Sequence, residues 1–338
     1  MTGPALPLAA ALSRGPLVLD GGLSQELEAQ GCDLTDELWS ARLLADDPRR
    51  IGAAHEAFVR AGARVLITGS YQASFEGFGR RGLGRREAGA LFRRSVTLAR
   101  EAADAARAAP GDGSAPDAPG AAGPVWVAAS VGPYGAVRAD GGEYRGRYGL
   151  GVRELTAFHR PRIEALAEAE PDVLALETVP DVDEAEALLS AARGSGVPVW
   201  LSYTVEGERT RAGQSLADAF AVAAGQDQVI AVGVNCCAAA DVDRAVEVAS
   251  EVTGKPVVVY PNSGESWDAG RRAWAGPATF TAGRPGAPDP GAEDGRGAGG
   301  AGSWVSGWVG RGARLIGGCC RVGPSVVAEL ARRLPPAP

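Results

Sequence analysis

Several things are missing from this chain, and each absence removes a class of function. Histidine is nearly absent, with His55 and His159 the two in 338 residues. Both fall in helical stretches, where packing or a surface position is the expected role, so neither is expected to serve as a base or a metal ligand. No GxGxxG turn follows an early strand, so an open dinucleotide-binding sheet would lack its phosphate loop. No basic stripe is present: 34 Lys and Arg stand against 41 Asp and Glu, a formal charge of -7. With arginines scattered beside acids, nothing would replace the counterions around phosphates, and nucleic acid is not an expected partner. No apolar run is long enough to cross a bilayer, so no membrane association is expected. The short apolar stretch at 4–12 has no basic leader and runs into Arg14, unlike a signal peptide.

Cysteine is present in an odd number, five, which argues against a disulfide framework. Four of the five form the adjacent pairs Cys236-Cys237 and Cys319-Cys320. That pattern suits metal or thiol chemistry in a reducing compartment, and the expected location is the cytoplasm.

Length and a 45% hydrophobic composition are enough for one large α/β core. Strands are predicted at 17–20, 65–69, 125–131, 172–178, 198–204, 229–235, 256–260 and 313–317. Several are nearly continuous in Val, Ile, Leu and Ala, as strands covered on both faces should be. Helical spacing fills the gaps, for example at 51–60, 158–169, 182–192 and 242–252. Eight strand–helix units predict a single (β/α)8 TIM barrel spanning 1–338, with its core at about 15–335. Two Gly-, Ala- and Pro-rich stretches, 109–124 and 281–302, interrupt the rhythm and are expected to be flexible insertions without catalytic residues. No repeat is found beyond the alternation itself.

In such a barrel the chemistry lies at the C-terminal ends of strands. Those ends carry Asp20-Gly21-Gly22, Ser130-Val131-Gly132, Glu177-Thr178, Asn235-Cys236-Cys237 and Gly317-Gly318-Cys319-Cys320. Cys236 from the sixth strand and Cys319 and Cys320 from the eighth are placed to meet at one ion. Neighbours on a regular strand point to opposite faces, so Cys319 and Cys320 can share an ion only if the backbone bends, a freedom expected of Gly317 and Gly318. Three thiolates around Zn²⁺ leave a fourth position open, as in catalytic sites. Such a centre suits activation of an incoming thiol, whose free pKa is about 8.5, better than activation of water. Redox chemistry and buried packing are the competing readings of these cysteines. Cys237 is expected to be a neighbour rather than a ligand, and Cys32 a small packing residue.

These motifs resemble the homocysteine S-methyltransferases. The likeness rests on Leu19-Asp20-Gly21-Gly22, Tyr71-Gln72-Ala73-Ser74, Gly233-Val234-Asn235-Cys236, Tyr260-Pro261-Asn262-Ser263-Gly264-Glu265 and Gly317-Gly318-Cys319-Cys320. Ser130-Val131-Gly132-Pro133-Tyr134-Gly135-Ala136, the stretch 140–148 and Phe158-His159-Arg160-Pro161-Arg162 bring it nearest the S-methylmethionine-type enzymes. The resemblance implies that Cys236, Cys319 and Cys320 hold zinc and that Asp20 and Glu177 lie near the homocysteine amino group. The bland alternatives are a helix cap for Asp20 and a salt bridge to arginine for Glu177. Backbone N–H groups around Ser130 and Gly132 are candidates for the substrate carboxylate. Trp39 falls where related enzymes face the donor, and an aromatic ring suits a cationic methyl donor.

The implied reaction methylates the homocysteine thiolate to methionine from S-methylmethionine or S-adenosylmethionine, with betaine as another possible donor. A thiol oxidoreductase using Cys319-Cys320 and a non-catalytic zinc-binding barrel are the distant alternatives; the former lacks an accompanying CxxC.

Overall fold

The computed structural model describes residues 3–36, 38–108, 123–138, 140–268, 273–282 and 301–335. Eight apolar segments pair in parallel: β1 (Leu17–Val18), β2 (Val65–Ile67), β3 (Trp126–Val131), β4 (Val173–Val179), β5 (Val199–Tyr203), β6 (Val229–Asn235), β7 (Val257–Tyr260) and β8 (Ala313–Ile316). Their hydrogen-bonded order is β1, β8, β7, β6, β5, β4, β3, β2. A parallel bridge from Leu19 to Val65 joins β1 to β2 and closes the ring. The fold is a (β/α)8 barrel, as the alternation predicts. Every residue of β3, β4, β5 and β7 is buried, which is why these strands read as unbroken apolar runs.

Each strand is followed by a helix on the outside. Pro48–Arg60 begins with a proline at its first turn, where the missing N–H costs nothing. This extends the predicted 51–60 segment by three residues. Val182–Ala192 starts where Asp181 accepts the Asp183 N–H at 3.2 Å. Val242–Thr253 stops at Gly254, whose φ of 63 suits a residue without a Cβ. Val152–Ala167 starts six residues before the predicted 158–169. There Glu154 accepts the Gly151 N–H at 2.9 Å, a local closure that apolar periodicity does not reveal.

Two features lie outside the sequence expectation. Short antiparallel hairpins, Val205–Glu206 with Arg209–Thr210 and Ser266–Asp268 with Ala273–Ala275, ride on the loops after β5 and β7. The fold also begins before the expected core at about residue 15. Helix Leu8–Leu12 buries Leu8, Ala11 and Leu12 with Leu17, Trp126 and Trp200 in one apolar cluster. The Trp126 indole N–H donates to the Leu6 carbonyl at 2.9 Å. The apolar N-terminal stretch therefore forms the barrel floor. Of the predicted insertions, 109–122 and 283–300 lie outside the described residues, whereas 301–302 open helix Ala301–Gly310. Among the described residues, no helix is long and apolar enough to cross a membrane.

Leu12 is 1% exposed, so Leu12→Ala should cost about 2–5 kcal/mol through lost burial and the cavity left behind. Urea unfolding should report that loss.

Candidate active site

The described residues bring one sulfur cluster together. Cys236, at the end of β6, and Cys319 and Cys320, beyond β8, have sulfurs all within 4.8 Å of one another. The Cys236 and Cys320 sulfurs are 3.6 Å apart, and all three are free thiols. No fourth Cys, His, Asp or Glu joins them among the described residues. Cys236 is buried, while Cys319 and Cys320 are half-buried and face the mouth. Hydrogen bonds from Cys319 and Cys320 pull the Cys236 thiol down, and the same bonds push those two up. Negative charge is thus concentrated on Cys236.

Backbone geometry explains the convergence. β8 ends at Ile316, so the vicinal pair sits in a turn and strand alternation no longer separates its side chains. The Cys319 N–H donates to the Pro261 carbonyl at 2.8 Å, and the Cys320 N–H donates to the Asn262 side-chain oxygen at 3.1 Å. Gly317 and Gly318 are needed for a different reason from the one expected. Neither adopts a left-handed backbone; instead a Cβ on Gly317 would lie 2.5 Å from the Asp20 carbonyl oxygen. The loops after β1 and β8 interlock here, Gly318 donating to the Asp20 carbonyl at 3.1 Å and Gly22 to the Val322 carbonyl at 2.8 Å.

The left-handed residue is Cys236 itself, with φ 53, and Thr178 at the end of β4 has φ 56. Asn235 links them. Its side-chain oxygen accepts the Thr178 N–H at 2.7 Å and the Ser202 hydroxyl, while its amide donates to the Thr178 hydroxyl at 2.7 Å. This buried network offsets the cost of two non-glycine residues in a disfavoured region.

The acidic groups line the same mouth. Glu177 is buried and accepts the Ser130 and Tyr260 hydroxyls rather than an arginine. Burial pushes its pKa up to about 7. Asp20 is not a helix cap: one oxygen accepts the Ile67 N–H at 2.8 Å, and the other is buried without a partner among the described residues. Burial, and then the nearby Glu177, push Asp20 up as well. Glu143, inside the 140–148 stretch of the family likeness but not singled out as a site residue, is also pushed to about 7 by burial. One of its oxygens is buried and unpartnered. Next to it, the Tyr144 hydroxyl lies 3.1 Å from the Cys236 sulfur. Both residues come from the loop after β3, whose stretch from Asp140 to Tyr148 carries no apolar periodicity to flag it.

The remaining expectations divide. The Ser130 N–H already donates to the Thr68 hydroxyl at 3.0 Å, so this residue serves the site through its own hydroxyl on Glu177. The carbonyl of Gly132 is taken by Arg162 at 3.0 Å, and a Cβ there would lie 2.6 Å from the Tyr71 carbonyl oxygen. The indole of Trp39 donates to Ser24 at 2.8 Å and its ring packs on the core; its described contacts do not reach the sulfurs. Cys237 is buried in the core away from the cluster, and Cys32 packs against that core. Neither histidine is at the surface: both are fully buried. His55 has no hydrogen-bond partner among the described residues, and His159 joins an internal polar network.

Comparison with known proteins adds an independent line. The family model for homocysteine S-methyltransferase matches residues 17–334. The chain is 42% identical to the homocysteine S-methyltransferase of Escherichia coli K12, over 97% of this chain and 98% of that one. It is 43% identical to homocysteine S-methyltransferase 4 of Zea mays, covering 94% of this chain and 89% of the relative. Among solved structures, the metallated form of the homocysteine methyltransferase MmuM from Escherichia coli superposes with a TM-score of 0.79 at 40% identity. That match covers 97% of this chain and 100% of the other.

The raised acids have a consequence for stability. Glu177 moves from 4.5 to about 7 on folding, so its proton binds more tightly in the folded state. Its contribution is full below the unfolded value and is lost as pH rises through 7. The ligand-free protein should therefore lose stability to urea between about pH 5 and 7.5. Glu177→Gln should flatten that slope; an unchanged slope in the variant would refute the assignment.

Proposed function

The chain belongs to the homocysteine S-methyltransferase family, and on that premise we propose that it methylates homocysteine at a zinc ion held by Cys236, Cys319 and Cys320. S-methylmethionine is the proposed donor and S-adenosylmethionine the second candidate. The observation that carries this reading is the meeting of three free sulfurs beside buried carboxylate oxygens of Asp20 and Glu143 that have no partner. Tetrahedral zinc with Zn–S bonds of about 2.3 Å requires sulfurs roughly 3.8 Å apart. The 3.6 Å between Cys236 and Cys320 fits that geometry. The donor set of three thiolates, without histidine, fits a thiol-activating centre. When bound, such an ion would acidify an incoming thiol and leave its sulfur electron-rich.

The chain's own residues supply the rest. An oxygen left without a partner is costly when buried, and a substrate ammonium seated against Asp20 or Glu143 would offset that cost and favour the ionised carboxylate. Glu177, held by Ser130 and Tyr260, adds negative potential below them. Gly132 shapes the wall by allowing Tyr71 to approach. Trp39, held with a left-handed φ of 49, is assigned the donor side, where its ring face would attract a sulfonium.

In the transfer, a new carbon–sulfur bond forms on the homocysteine thiolate as the donor's methyl–sulfur bond breaks in line. The donor's sulfonium leaves as a neutral thioether, so S-methylmethionine yields two methionines per turnover. An anion and a cation neutralise each other, which a pocket poor in water favours. The reducing conditions that free thiols need point to the cytoplasm.

Purified protein loaded with zinc should bind one ion per chain and form two methionines for each S-methylmethionine consumed. Cys236→Ala should lose both ion and turnover. Betaine reacting while S-methylmethionine stays inert would overturn the donor assignment. Full turnover without metal would overturn the zinc assignment.

A further inference from the structure

We propose that Arg162, His159 and Glu184 act as a positioning relay, in which a neutral His159 protonated at Nε2 joins Arg162 to Glu184 and so fixes two walls of the pocket. The proposal deepens the methyltransferase reading and rests on it for what the pocket binds. All three residues are buried, with 1%, 0% and 0% of their surface exposed. Arg162 and His159 lie one turn apart on helix Val152–Ala167, and Glu184 lies in the first turn of helix Val182–Ala192.

The hydrogen bonds leave one arrangement of protons. Arginine only donates, and its Nη1 is 3.2 Å from His159 Nδ1, so Nδ1 must present a lone pair. The ring proton is then on Nε2, which donates to Glu184 Oε1 at 3.0 Å. Burial holds the ring below its ordinary pKa, consistent with a neutral imidazole between a cation and an anion.

What the relay holds is pocket wall. Arg162 donates to the Gly132 carbonyl at 3.0 Å and to the Tyr71 carbonyl at 3.1 Å. Glu184 accepts the Tyr134 N–H at 2.6 Å and the Tyr148 hydroxyl at 3.1 Å. The loops after β2 and β3 are thereby tied to two helices. Those loops carry Tyr71, packed against Gly132, and Tyr144, whose hydroxyl lies 3.1 Å from the Cys236 sulfur. A buried charge pair stabilises a fold little better than apolar packing would. Its worth here is the fixed position of the carbonyls it grips. It also places a use on the Phe158-His159-Arg160-Pro161-Arg162 stretch that the chemistry at the sulfurs leaves unassigned.

The test combines tautomer and binding. The chain has two histidines, so nitrogen-15 histidine labelling gives two imidazoles, and His159→Phe or His159→Gln identifies the pair of signals that disappears. At neutral pH that ring should show a bare Nδ1 and a protonated Nε2. His159→Phe should weaken homocysteine binding to the zinc-loaded protein, followed by calorimetry, and raise its KM by about tenfold or more through misplaced walls. Zinc stoichiometry should not change. His159→Gln, whose oxygen can accept from Arg162 and whose amide can donate to Glu184, should restore binding to within about threefold. A proton on Nδ1, normal binding in the phenylalanine variant, or a glutamine variant that binds as poorly as the phenylalanine variant would each overturn the relay. If the wild-type protein bound zinc and homocysteine but transferred no methyl group, the functional reading would fail, while the tautomer and binding results would still decide the relay.

Discussion

The structure depends on bringing the sulfur of Cys236 to those of Cys319 and Cys320 across the mouth of a closed barrel. Thiols meeting at van der Waals range repel once ionised, so the backbone must hold them where side-chain preference would not. It does so by interlocking loops from β1, β7 and β8. Cys319 and Cys320 hang from the carbonyl of Pro261 and the side chain of Asn262, and Gly318 and Gly22 cross-bond to Asp20 and Val322. These contacts leave no space for a Cβ at Gly317 or Gly22. Cys236 is set by a separate device, the Asn235 amide bridging β6 to Thr178 and Ser202.

Around that centre the molecule accepts an unfavourable electrostatic state. Asp20 and Glu177 are buried and Glu143 is half-buried, and the loss of solvent raises all three carboxyls. No arginine of the site neutralises Glu177, which leans on two hydroxyls instead. Under the proposed function, a substrate ammonium or a cationic donor would relieve that state. The same logic separates the floor from the mouth: Leu8, Leu12, Trp126 and Trp200 pack without polar demands, which lets the rim carry strain and unpaired charge.

Much of this was legible beforehand. Parallel barrel strands are largely covered on both faces, so several appear as nearly continuous apolar runs and the eight could be located within a few residues. Cys236, Cys319, Cys320, Asp20 and Glu177 stood out because they sit at those ends. Glu143 and Tyr144 lay in the 140–148 stretch that carries part of the family likeness, but neither was singled out, since no periodicity marks that irregular loop after β3. The floor helix escaped because five residues are too few for an amphipathic pattern. The role of Gly317 and Gly318 was read as torsional freedom, whereas the neighbouring chain makes it a matter of space.

The amino-acid order by itself determined the barrel and the residue types at its rim, because local hydrophobic period and strand-end position are properties of adjacent residues. Tertiary structure alone decided which sulfurs approach one another, which acids lose their solvent and which buried side chains surround His159. Those outcomes are set by distances and hydrogen bonds between segments far apart in the chain, and no local pattern encodes them.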